Sequence, residues 1–214
     1  YGLENLSAIP GFVGTSPIQN IGAYGVEIES LIHRVKVFDW QTQETQWIQA
    51  KDCGFAYRES HFKQAWVYKY CILSVEFRLS QSFNPVLAYG PLKTFQSDSE
   101  LTAQKLRQAI IDIRAAKLPD PYTLPNAGSF FKNPIIPMTQ FTGLQQRHPK
   151  LVAFPSGPHE MKLSAAWLID QSNLKGYEFS EFKISPLQAL VITHPIQQLP
   201  APKAGQQLQA FIHM

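Results

Sequence analysis

Ser129 stands in the stretch NAGSFFKNP, between Gly128 and the paired aromatics Phe130 and Phe131, with Lys132, Asn133 and Pro134 closing the run. A serine among such neighbours is either a turn residue or a hydroxyl posed to hand over a proton. The stretch is not a G-x-S-x-G elbow, so it does not present a hydrolase nucleophile. Arg58, in AYRES, carries a rigid guanidinium fork that matches a carboxylate, although an arginine can equally lie over apolar surface with its head in water. Lys117 closes an apparent helix, where it either complements the helix dipole or meets a phosphate. The six histidines are scattered and none is three or four residues from another, so no metal site is expected.

The elements that must carry these residues follow from periodicity. Residues 9–25, IPGFVGTSPIQNIGAYG, mix four glycines and two prolines with apolar residues and read as a loop that turns tightly or lies close to something. The stretch is neither G-x-G-x-x-G nor a P-loop. LIHRVKVF reads as a strand with Leu31, Val35 and Val37 on one face, DWQTQE as a turn and TQWIQA as the returning strand. In YCILSVEFRLS the odd positions Cys71, Leu73, Val75, Phe77 and Leu79 are apolar, and Glu76 and Arg78 face water near its end, which predicts a half-buried antiparallel strand. CGFAYRESHFK is a polar loop bearing aromatics. Ser97 and Glu100 form an S-x-x-E capping box for a helix over residues 97–117, with Leu106, Ala109, Ile110 and Ile113 as its apolar stripe and Pro119 and Pro121 beyond its end. A second helix is predicted from Ser164 through Trp167 and Leu168, with a Trp167 stripe in the core, stopping at Gly176. LQALVIT reads as a buried strand. These elements predict an α+β chain, strand-rich first and mixed afterwards, without internal repeats.

Composition sets the class. The chain has 214 residues, 44% apolar and 16% charged, which suits one or two globular domains. The net charge of +3, with no Lys/Arg block, argues against nucleic acid and membrane surfaces as partners. Two cysteines, Cys53 and Cys71, form no CxxC pair and fit a reducing cytosol. The longest apolar runs, such as ALVI, are too short to span a bilayer. The chain opens YGLENLSAIPG without a Met and closes in LQAFIHM, which reads as part of an amphipathic segment, so both ends are expected to be cut.

Taken in order, GLENLSAIPGFVGTSPIQNIGAYGVE, CGFAYRESHFK, VLAYGPL, AKLPDP, NAGSFFKNP and KLSAAWLIDQSNLKG resemble the UDP-N-acetylenolpyruvoylglucosamine reductases, also called UDP-N-acetylmuramate dehydrogenases. PIQNIGAYG and GSFFKNP are the specific pieces. The resemblance covers nearly the whole chain. It implies a bacterial, cytoplasmic FAD enzyme of peptidoglycan synthesis, with NADPH as co-substrate and a UDP-sugar as substrate. The implied fold is a two-subdomain, vanillyl-alcohol-oxidase-like flavin-binding fold plus an α+β substrate-binding domain, and a monomer is expected. Residues 1–96 then correspond to the second flavin subdomain, 97–125 to a helix and linker, and 126–214 to the substrate domain.

The resemblance also distributes roles. Ser129 is implied as the proton donor and Arg58 as the cation that steadies an enolate. Tyr89, Lys117 and Asn133 are implied at the diphosphate, Tyr24 near the sugar and diphosphate, and Lys175 and Gln188 in the uridine region. Ile9, Gly14, Thr15, Ser16, Ile18, Gly22, Ala23, Tyr57 and Ile72 are implied in the wall that receives FAD.

Three departures accompany the resemblance. The family's first flavin subdomain, with its phosphate loop, is expected ahead of Tyr1, and a glutamate that assists the arginine is expected beyond Met214. Ala166 also stands where the family commonly has glycine. A second expectation therefore stays open: a non-catalytic fragment that binds a nucleotide sugar and has lost FAD binding.

Overall fold

The structure is a computed structural model and describes residues 1–194. The expected amphipathic ending at LQAFIHM lies outside the described residues. The chain divides into two compact units, with the boundary after Arg114.

The first unit opens with a 3-10 turn at Glu4–Leu6, and the glycine-rich segment that follows is more ordered than a loop. A 3-10 turn at Val13–Thr15 leads into a short helix, α1 (Ser16–Gln19), and then into a hairpin of β1 (Gly22–Ala23) and β2 (Val26–Glu27). Pro17 in the first turn of α1 favours this start, because its fixed φ suits a helix and its missing N–H is not needed there.

A three-stranded antiparallel sheet forms the body of the unit. Its strands are β3 (Ile32–Asp39), β4 (Thr45–Gln49) and β5 (Tyr70–Phe77), with β3 in the middle. The turn between β3 and β4 is shaped by Asp39, whose Oδ1 accepts from the Gln41 N–H at 2.8 Å. Val35 and Val37 are fully buried with Ile32, Leu6, Ile28, Cys53 and Phe62. Burying each valine is worth about 1.5–3 kcal/mol. Ile32 takes the place expected of Leu31, because the chain leaves a 3-10 turn at Leu31 and the register shifts between Ile32 and Arg34.

The strict alternation expected of β5 is broken. Tyr70 and Ile72 pack against the core in its first half, and Val75 and Phe77 in its second, while Cys71 and Leu73 are exposed. Ladder partners run Val37 to Ile72 and then Lys36 to Ser74, so Leu73 is the extra residue of a bulge. One added residue reverses the face that later side chains present.

The helix α2 (Ala103–Lys117) starts later than Ser97. Asp98 Oδ1 accepts from the Glu100 N–H at 2.9 Å and keeps that segment in a turn. Thr102 Oγ1 instead accepts from the Lys105 N–H at 3.2 Å and caps the helix. Leu106 and Ile110 are fully buried with Leu92, and Tyr24 and Ile113 pack against them.

The second unit holds two antiparallel sheets. Strands β6 (Asn126–Ser129), β10 (Glu178–Phe179), β11 (Phe182–Ile184) and β12 (Val191–Thr193) make one, in the order β10-β11-β12-β6. Strands β7 (Ile135–Pro137), β8 (Ala153–Pro155) and β9 (Glu160–Leu163) make the other, in the order β7-β9-β8. Helices α3 (Met138–Arg147) and α4 (Ala165–Gln171) pack on the second sheet through Phe141, Leu144, Trp167 and Leu168, so Trp167 belongs to a core as expected. Ser164 caps α4 by accepting from the Trp167 N–H at 3.2 Å. The helix ends at Gln171 rather than near Gly176, and Asn173 takes the left-handed conformation that stops it. LQALVIT is a strand only from Val191, because the Ser185 hydroxyl turns residues 187 and 188 by accepting their N–H groups. The architecture is α+β.

Candidate active site

Arg58 is the most firmly held of the candidate residues. Its loop closes through an Ala56–Glu59 bridge, with Arg58 itself at φ +57°. A non-glycine residue holds that conformation only where its surroundings impose it. Two buried polar side chains do so. Ser60 Oγ donates to the Ile18 carbonyl at 2.9 Å, and Asn20 Nδ2 donates to the Ala56 carbonyl and to Glu29, each at 2.7 Å. The guanidinium then returns across the loop. Nη1 donates to the Asn20 carbonyl at 3.1 Å and pairs with the Glu27 carboxylate, and Nη2 donates to the Gly22 carbonyl at 2.6 Å. The Tyr57 ring lies 4.9 Å from the cation. The Arg58 side chain is 19% exposed.

The glycine-rich segment offers a surface near this cation. Thr15 Oγ1 donates to the Phe12 carbonyl and Ser16 Oγ to the Val13 carbonyl, each at 2.7 Å, which spends both hydroxyls on the local turn. Phe12 is 83% exposed, Val13 and Ile18 are exposed, and nothing lies within 4 Å of where a Gly14 side chain would begin. An open backbone with an apolar rim suits a flat aromatic ring. Asn20 Oδ1 is buried and has no partner among the described residues. The segment therefore fits one wall of a flavin site. Ile9, Ala23 and Ile72 turn onto the unit's core and could meet a ligand mainly through their backbone.

Tyr24 and Tyr89 meet edge to face with centroids 5.9 Å apart. Burial pushes the Tyr24 phenol up, and Arg114 opposes that shift by charge and hydrogen bond. Burial likewise lowers Arg114, with Tyr24 opposing. Arg114 is absent from the sequence-based candidates; its only signal there is its place one turn before Lys117 on the helix. Lys117 is the exposed last residue of α2.

In the second unit Ser129 ends β6, opposite Val191. Gly128 at φ +68° and the Asn126 Oδ1 that accepts its N–H at 3.0 Å shape the approach. Phe130 packs against Phe182, Ile184 and Ile192, while Ser129 is exposed and its hydroxyl makes no hydrogen bond among the described residues. Gln188 sits in the turn before β12, its carbonyl accepting from the Val191 N–H at 2.9 Å, so Ser129 and Gln188 share one end of the sheet. Asn133 Oδ1 accepts from the Ala165 N–H at 2.9 Å and joins Ser164 in capping α4. Lys175 Nζ lies 3.9 Å from Asp170 Oδ1. Arg58 belongs to the first unit and Ser129 to the second. Among the described residues no His, Cys, Asp or Glu side chains cluster as a metal ion requires, and no helix is long and apolar enough to cross a membrane.

Residues 120–198 match the family model described as "UDP-N-acetylenolpyruvoylglucosamine reductase, C-terminal domain". The UDP-N-acetylenolpyruvoylglucosamine reductase of Neisseria gonorrhoeae is 47% identical over 197 residues, 90% of this chain and 57% of its own length. The chain is a homologue of these reductases. That of Pseudoalteromonas atlantica is 46% identical over 92% of this chain and 56% of its own length. The chain thus spans a little over half the length of the curated reductases it matches. The crystal structure of UDP-N-acetylenolpyruvylglucosamine reductase from Thermus caldophilus superposes with a TM-score of 0.61 over 98% of this chain and 59% of that one, at 21% identity, and has the same α+β fold.

Proposed function

We propose that the protein to which this chain belongs reduces UDP-N-acetylenolpyruvoylglucosamine to UDP-N-acetylmuramate for peptidoglycan synthesis in the bacterial cytoplasm, using NADPH and FAD. The observation that carries the reading is Arg58: a largely buried cation, locked by four groups, on a segment of a reductase homologue. The 9–23 segment and Tyr57 would hold FAD, which when bound would supply a hydride for the enolpyruvyl double bond. Adding hydride to the vinyl carbon leaves an enolate whose charge spreads onto the carboxylate oxygens. Arg58 stabilises that charge, and because it is already oriented it does so without reorganising. Ser129 Oγ gives its proton to the enolate carbon and fixes the face on which it arrives. Tyr24, Tyr89, Lys117 and Asn133 hold the diphosphate and its sugar, and Lys175 and Gln188 the uridine end, so that the reacting carbon is presented in register.

The test uses the full-length protein with NADPH and the enolpyruvyl UDP-sugar. Product heavier by one hydride and one proton, formed with NADPH consumption that depends on the UDP-sugar, supports the reading. NADPH consumption indifferent to the UDP-sugar would sink it.

A further inference from the structure

We propose that Glu27 is the positioning residue for Arg58 and that Gly22 is a glycine in order to let Glu27 reach it. The proposal rests on the reading of Arg58 as the cation that meets the substrate carboxylate.

The hairpin register sets Glu27 directly opposite Gly22. Residues opposite one another on antiparallel strands project to the same face. The Glu27 side chain lies across the place where a Gly22 Cβ would be, and any Cβ there would overlap the carboxylate. The backbone of Gly22 is not in the left-handed region, unlike that of Gly25 at φ +86°. What excludes a side chain at Gly22 is the space Glu27 occupies. Across that space the carboxylate meets Arg58 Nη1.

The consequence for Arg58 follows from counting protons. A guanidinium has five N–H groups. The Asn20 carbonyl and Glu27 take the two on Nη1, and the Gly22 carbonyl takes one on Nη2. One proton on Nε and one on Nη2 have no acceptor among the described residues, a pair suited to a bidentate carboxylate. Glu27 holds one end of the fork and so aims the other. An exposed ion pair of this kind contributes little, but here the arginine is mostly buried and also bound to two carbonyls, so its orientation has few alternatives.

The test uses full-length protein carrying Glu27→Ala, Glu27→Gln or Gly22→Ala. Stopped-flow absorbance separates flavin reduction by NADPH from reoxidation by the enolpyruvyl substrate. The expected result is reoxidation slowed about 10²-fold in Glu27→Ala, as for a displaced catalytic group, with reduction by NADPH and thermal midpoint near wild type. Glu27→Gln retains an acceptor and recovers part of the loss. Gly22→Ala displaces Glu27 without removing it and reproduces the defect. Wild-type reoxidation in Glu27→Ala and Gly22→Ala overturns the proposal. A second readout needs no turnover: rotation of the Arg58 Nη groups, seen by nitrogen-15 NMR and assigned by loss of signal in Arg58→Lys. Slow rotation that becomes fast in Glu27→Ala is expected, and unchanged slow rotation overturns the proposal. If wild-type flavin is not reoxidised by the enolpyruvyl substrate, the functional reading fails while the rotation experiment still judges Glu27.

Discussion

Ser129 faces Val191 in the last pair of β6 and β12, and the next residue, Phe130, donates its N–H to the Leu190 carbonyl at 2.8 Å. The backbone beside the hydroxyl is therefore fixed by the sheet, and Phe130 by the core. In the full-length protein Ser129→Ala removes only the hydroxyl, so folding and flavin reduction by NADPH are expected to survive. Reoxidation by the enolpyruvyl substrate is expected to slow by about 10²–10⁴-fold, the worth of general acid help. Ser129→Cys, which still has a proton to give, is expected to keep more activity than Ser129→Ala. Stopped-flow flavin absorbance reads both halves, and reoxidation at wild-type rate in Ser129→Ala would leave Ser129 a strand-end residue only.

Asn133 has two ends with separable duties. Its Oδ1 caps α4, and its amide protons have no acceptor among the described residues. Asn133→Ala is expected to lose about 0.5–2 kcal/mol of stability, the usual cost of a lost cap, together with substrate affinity. Asn133→Asp keeps the acceptor and sets a negative charge against the diphosphate, so it is expected to hold its thermal midpoint and still bind the UDP-sugar more weakly. Calorimetric melting and titration separate the two effects.

Lys117 projects from the end of α2 into solvent. Lys117→Ala in the full-length protein is expected to weaken the UDP-sugar by roughly 1.5–3 kcal/mol, the range for a charge-assisted hydrogen bond, and to leave the flavin spectrum unchanged. Isothermal titration gives the dissociation constant, and an unaltered value would remove Lys117 from the diphosphate.

The two cysteines are expected to behave oppositely. Cys71 is exposed, whereas burial, and then the Asp52 charge, pushes the Cys53 thiol up to about 12. A disulfide reagent at pH 8 should label one thiol in the native protein and two after denaturation. Because Cys53 binds its proton more tightly when folded, its contribution to stability is complete below about 8.5, the value of a free thiol. That contribution is lost as pH climbs from there toward 12. Cys53→Ala should flatten that alkaline fall in the thermal midpoint.

The stripe Leu106, Ala109, Ile110 and Ile113 is legible because a helix repeats itself every turn, and Ser164 is legible as a cap because its role is local. The start of α2 is not. The capping-box signal falls on Ser97, but Asp98 closes a turn there, and the cap is Thr102, which has Lys105 and not an acid three residues on and so lacks that signal. Strands β7, β8 and β9 have three or four residues each, too few to show a period, and α3 carries only Phe141 and Leu144 as a stripe, interrupted by Gly143. At the site, the motifs single out Arg58 and Ser129 only through family resemblance. What holds Arg58 is invisible locally, since Glu27 and Arg58 are 31 positions apart and meet only through the hairpin.

The bulge at Leu73 also writes a rule for substitution along β5. Without it, one parity of positions would tolerate polar replacement along the whole strand. With it, tolerance changes parity at a single residue: positions 71, 73, 74 and 76 lie on the permissive side, and 70, 72, 75 and 77 on the restrictive one. Deleting Leu73 would restore a uniform zigzag and thereby set half the strand inside out. A screen of all substitutions across residues 70–77 would show that crossover as two adjacent permissive positions, 73 and 74, in a pattern that otherwise alternates.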